Sequence, residues 1–153
     1  MMLTDAIYPP VSLLKGIERL DLLDWDEIHG AVQSTLQRLD DPVTRLCVGC
    51  RVTSGHNSAP AWQLFSYRVY QPPEGSEVDP VVVGVNFSHG SQGAVRILGD
   101  ISGETLGDVL YEFPEVEAVG TQPVLEKAQD LAEKLAKQAD RIAGALANSA
   151  RRA

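Results

Sequence analysis

The chain has 153 residues, 44% apolar and 22% charged, with 13 basic and 21 acidic side chains for a formal charge of −8. That length suits a single domain spanning 1–153, able to bury a core without staples, and the acidic balance argues against nucleic acid as the main partner, since phosphate affinity comes from Lys and Arg. No apolar run approaches the ~18 residues a membrane span needs and no leader pattern opens the chain, so no membrane partner and a cytoplasmic setting are expected, with Cys47 and Cys50 reduced.

Residues 1–10 read as a loose lead-in ending at Pro9-Pro10. Leu13, Leu14, Ile17 and Leu20 then recur at helical spacing, although Gly16 weakens a helix over 11–20. Asp24 offers an N-cap with Glu27 in the capping-box position. The stripe Trp25, Ile28, Val32, Leu36 and Leu39 predicts a helix over 25–39, stopped at Asp40-Asp41-Pro42 because proline cannot continue it.

The apolar period then falls to two. Leu46, Val48, Cys50 and Val52 share one side of a strand expected over 43–53, with Arg45 and Arg51 on the other. A second strand is expected over 61–70, with Phe65, Tyr67 and Val69 inward and Trp62, Leu64, Arg68 and Tyr70 outward unless a bulge reverses them. Val81, Val83, Val85 and Phe87 predict the inward face of a third strand, and Val95, Ile97 and Ile101 that of a fourth over 94–101. Leu106, Val109, Leu110 and Phe113 fit a short helix that stops at Pro114.

The last element is the most strongly patterned. Leu125, Ala128, Ala132, Leu135, Ala139, Ile142 and Leu146 form a heptad seam on one helix over 122–148, capped by Thr121 or Gln122 with Pro123 in its first turn. The fold class this implies is α+β: a four-stranded antiparallel meander sheet flanked by N-terminal helices and a long C-terminal amphipathic helix. A helix of about 27 residues spans roughly 40 Å, whereas a nine-residue strand spans about 30 Å. The overhang must therefore meet the N-terminal helix, another copy or water. Leu125, Leu135, Ile142 and Leu146 are accordingly the seam residues of either an intramolecular contact or a homodimer.

Chemistry is thinly marked. Cys47-Val-Gly-Cys50 has C-x-x-C spacing, but redox pairs of that kind open a helix, and inside a strand the two thiols would face opposite ways. No second soft pair completes a zinc site, so no metal and no cofactor are expected. His56 and His89 fall in turns at one end of the meander and are the alternative ligand-binding or catalytic candidates, roughly 10 Å apart; His29 is expected on the exposed flank of its helix. Glu104, Asp108, Glu112, Glu115 and Glu117 read as a solvated acidic face.

The outward sheet face is the expected site. Trp62, Arg68, Tyr70, Arg45, Arg51 and Arg96 would gather there, and aromatic residues with arginine are the usual anchors of protein interfaces. The expected function is therefore non-enzymatic protein binding, as an adaptor, chaperone or immunity-type inhibitor, through that face and the C-terminal helix, with an acidic or extended peptide as the partner. Own-helix cover of the same face is the competing structural reading. A small ligand- or metal-binding protein or enzyme at the His56/His89 end, and a structural oligomer subunit, are the other functional alternatives.

Overall fold

The Asp24 side chain accepts a hydrogen bond from the Glu27 amide at 3.1 Å and caps α1, Trp25–Leu36. In the computed structural model, residues 23–57, 63–105 and 107–152 are described; the expected helix over 11–20 and Trp62 lie outside them. Along α1 and the following 3-10 turn, Gln37–Leu39, the residues Ile28, Val32, Leu36 and Leu39 are fully buried, as the stripe predicts.

The helix does not stop before Pro42. The backbone stays right-handed through Gln37 and Asp40 into α2, Asp40–Leu46. Pro42 falls in the first turn of α2, where its missing N–H leaves no bond unmade. Val43 extends the buried row, four residues after Leu39. The strand expected over 43–53 is thus corrected: its first half is helix, Leu46 and Val48 are 56% and 82% exposed, and β1 is Arg51–Asn57. The period-two spacing of Leu46, Val48 and Cys50 is coincidental: the buried i,i+4 row ends at Val43, before them.

β2 (Gln63–Gln71), β3 (Val81–His89) and β4 (Val95–Gly103) follow, and β1 to β4 pair antiparallel in chain order. The inward residues expected on β3 and β4 are buried. In the segment read as a helix around 106–113, the described residues Val109–Glu112 form a strand instead. β5, Val109–Glu112, pairs with one half of β4, and β6, Val116–Ala118, with the other. Gly107, at φ 72°, shapes the turn out of β4, and Pro114 separates the two short strands. The result is an α+β molecule with a six-stranded antiparallel sheet rather than four strands.

The C-terminal seam also divides. α3 is Thr121–Leu135 and α4 is Ala139–Arg152. Between them the Lys137 and Gln138 amides bond three residues back, to Lys134 and Leu135, and tighten the chain into a turn. No side chain caps α3; Gly120, at φ 94°, precedes it, and Thr121 Oγ1 accepts from the Asp24 amide at 3.3 Å. The break removes the overhang of a single rod: α3 lies along β3, β4 and β6, and α4 turns back against α2. Leu135, Ile142 and Leu146 are buried in the protein's own core, and Leu125 packs against it partly buried. No helix among the described residues is long and apolar enough to cross a membrane.

Candidate functional site

Every described helix that packs on the sheet does so on one face. Register partners project to the same side of a sheet, so the covered face carries Leu64, Ser66, Arg68 and Tyr70 of β2 alongside Val81, Val83, Val85 and Phe87 of β3. The outward assignment of Leu64, Arg68 and Tyr70 is therefore reversed. Tyr70 is fully buried and Leu64 is 4% exposed. Arg68 is held by a forked pair to Asp40 at the start of α2, Nε to Oδ1 at 3.0 Å and NH2 to Oδ2 at 2.6 Å. The Tyr70 hydroxyl donates to the same Oδ1 at 2.8 Å, and Arg68 NH1 donates to Gln33 Oε1 at 3.2 Å. Gln33 Nε2 in turn donates to the carbonyls of Gly55 and Tyr67 at 2.9 and 3.0 Å.

This cluster pins α1 and α2 to β1 and β2. Burial works against the Arg68 charge, but the hydrogen bond and charge of Asp40 outweigh it and raise its pKa. Burial and then Asp40 push the Tyr70 phenol well above its ordinary range. Both groups stay in their usual ionic forms, which suits a structural clasp rather than proton transfer.

The remaining arginines do not converge. Arg45 sits on α2, exposed, with Nε donating to the Asp41 carbonyl at 3.3 Å. Arg51 is exposed at the start of the edge strand β1. Arg96 lies between Glu115 and Glu117, at 3.6 and 3.9 Å. Glu117 also accepts from the Ser91 hydroxyl at 2.8 Å and from its amide at 3.3 Å; those hydrogen bonds, ahead of the Arg96 charge, hold its carboxyl below the usual range.

The other face, which no described helix covers (hereafter the uncovered face), is built on two glycines. One row across it runs Gly55, Tyr67, Gly84, Asp100 and Glu112 on β1 to β5. Tyr67 lies over Gly55, where a Cβ would meet its hydroxyl at 2.8 Å. Phe65 lies over Gly84, where a Cβ would meet the ring Cζ at 2.7 Å. The two rings stack at 5.0 Å with 26° between planes. Beside them an open groove of about 650 Å³ runs past Asn57, Val69, Val82 and Ser102 to Glu104. Val69 and Val82, 4% and 8% exposed, form its floor.

Two carboxylates stand directly opposite each other at the end of this row. Burial and then the neighbouring Glu112 push the Asp100 carboxyl up to about 6. Among the described residues neither Asp100 nor Glu112 has an ion-pair partner, in contrast to Glu115 and Glu117. Phe65 and Tyr67 were expected to point inward and Glu112 to be merely solvated. The signal that could have located them is a glycine inside each of two strands, which marks close approach of another group.

The histidines do not pair as the turns suggested. His56 is level with Val85 through Ser66, and His89 lies four residues further along β3, so two strand spacings and that offset separate them by roughly 16 Å. His56 stacks instead on His29, ring centres 4.5 Å apart. His29 is 3% exposed rather than on the flank of its helix, and neither ring nitrogen has a hydrogen-bond partner. Burial and then His56 lower its pKa to about 4. Cys47 and Cys50 close α2 rather than sitting in a strand, and Cys50 bonds back to Cys47 through its backbone amide at 3.2 Å. Burial and then Cys47 raise the Cys50 thiol to about 11, the reverse of what a nucleophile needs. Among the described residues no three His, Cys, Asp or Glu side chains are grouped to hold a metal ion.

Comparison with known proteins adds no assignment: the chain matches no family model, no curated protein and no solved structure.

Proposed function

We propose that the protein is a non-enzymatic binding module that engages a protein partner with the uncovered face of its sheet. The observation that carries this reading is the Phe65–Tyr67 pair laid flat over Gly84 and Gly55 beside an open groove. Rigid aromatic rings on a flat strand surface are interface anchors with little conformational entropy left to lose. The helices meanwhile pack on the opposite face and bury the apolar seam that would otherwise serve a second copy. Of the anchor set expected from sequence, Arg68 and Tyr70 belong to the internal clasp, so the recognition surface moves to the other side of β2.

A photo-crosslinking residue at Leu98, on this face, tests the reading in the native host. Position 98 should trap one defined protein, and the same residue at Lys127, exposed on α3, should not. Equal trapping from both positions, or loss of neither product on Phe65→Ser, would overturn it.

A further inference from the structure

We infer that the uncovered face takes a basic peptide segment, with a lysine or arginine side chain lying on the Phe65 ring beside Asp100 and Glu112. The inference rests on the protein-binding reading above and deepens it by naming the partner's chemistry.

Charge complementarity on a shaped surface favours such a segment. Asp100 is the register partner of Gly84, and the Phe65 ring occupies the space above that glycine. A carboxylate and an aromatic face therefore adjoin one another. Tyr67, on the same row, stands about two strand spacings, roughly 10 Å, from Asp100. A cation placed there meets the negative face of the ring and an anion together, which are the two groups that attract it most. The protein already uses the first contact elsewhere: the Arg141 guanidinium sits 4.0 Å from the centre of the Tyr111 ring.

Like charges directly opposite across a strand pair are unfavourable, and Asp100 and Glu112 have no cation of their own among the described residues. Glu104 adds a third carboxylate at the end of the groove, and among the described residues no lysine or arginine lines it. Burial and Glu112 hold the Asp100 carboxyl up at about 6, so an incoming cation also relieves an existing repulsion. Asp100 faces Glu112 on β5 and, on its other side, Gly84 with the Phe65 ring above it; the Tyr67 hydroxyl is turned away, over Gly55. An acidic partner, expected when four arginines were placed together on the outward face, would meet these three carboxylates; of those arginines Arg51 and Arg96 do lie on this face, but at opposite ends of it, and Arg96 is already paired to Glu115 and Glu117.

The test uses the full-length chain and a fluorescein-labelled Gly/Ser peptide carrying three arginines, with counterparts carrying three glutamines or three glutamates. Anisotropy should show binding of the arginine peptide alone, weakened by salt. Amide shifts should cluster at Phe65, Tyr67, Asp100 and Glu112. The pair Asp100→Asn, Glu112→Gln should lower affinity at least ten-fold, whereas Glu126→Gln with Asp140→Asn on the helices should leave it unchanged. Equal losses from both pairs, equal binding of the glutamine peptide, or shifts elsewhere would overturn the inference. So would a dimer that Asp100→Asn, Glu112→Gln dissociates, or movement of the Phe65 and Asp100 signals on Lys15→Gln, Arg19→Gln, since each seats a different occupant there. If crosslinking at Leu98 succeeds while the arginine peptide fails to bind, only the charge of the partner is wrong. If both fail, the binding face itself is wrong.

Discussion

Arg68 and His29 show how much a single side chain's surroundings decide. With side-chain exposures of 11% and 26%, Arg68 and Asp40 form a mostly buried pair, and removing one partner strands the other. Breaking such a pair costs roughly 3–5 kcal/mol, so Arg68→Ala should lower the urea midpoint sharply, where a surface anchor would leave it unchanged. His29 and Asp100 make opposite pH dependences. His29 has a folded pKa near 4 against 6.5 unfolded, so the unfolded chain binds the extra proton and stability falls as pH drops from 6.5 toward 4. Asp100 has a folded pKa near 6 against 3.8, so its penalty is full above pH 6 and is relieved as pH drops toward 4. Each shift corresponds to roughly 3 kcal/mol at most, with Asp100 reduced by solvent screening. The wild type should therefore show a shallow pH profile over this window. His29→Leu should gain stability on acidification, because the relief at Asp100 is then unopposed, and Asp100→Asn should gain most over the wild type at pH 7.5 and lose that gain near pH 4, as measured by urea melts at the two pH values.

Among the elements, the divided C-terminal helix is the most informative. Its seam was legible as a spacing of three and four: Ala128, Ala132, Leu135, Ile142 and Leu146 are buried, and Leu125 and Ala139 pack against the core partly buried. The turn at 136–138 was not legible, because no glycine or proline marks it; it arises where the sheet ends and α2 offers the next apolar surface. Leu135, fully buried just before that turn, ties α3 to the sheet. Leu135→Ala should cost about 2–5 kcal/mol in chemical denaturation while leaving the sedimentation coefficient of the folded protein unchanged. A drop to half the mass would instead show that the seam also holds two copies together. The extended 109–118 segment was misread for a related reason. Leu106, Val109, Leu110 and Phe113 satisfy a helical spacing, yet β4 has two open hydrogen-bonding half-edges, and pairing them with β5 and β6 satisfies more backbone than a lone short helix would.

At the scale of the molecule, the described helices lie on one face of a six-stranded sheet, and that asymmetry defines the candidate site. The chain's own pattern determined the α+β class, the antiparallel order of the first four strands, the inward residues of β3 and β4, and the first helix with its cap. Each is governed by local periodicity or by turn chemistry within a few residues. Which side of β2 the helices would cover was open, because Leu64, Tyr70, Phe65 and Val69 make both sides apolar. Only the tertiary structure settled it, through a carboxylate 28 residues away that accepts the Arg68 fork and through two glycines on neighbouring strands that leave room for rings on the other side. Period alone cannot express such a preference, since it depends on partners that meet only once the layers have packed.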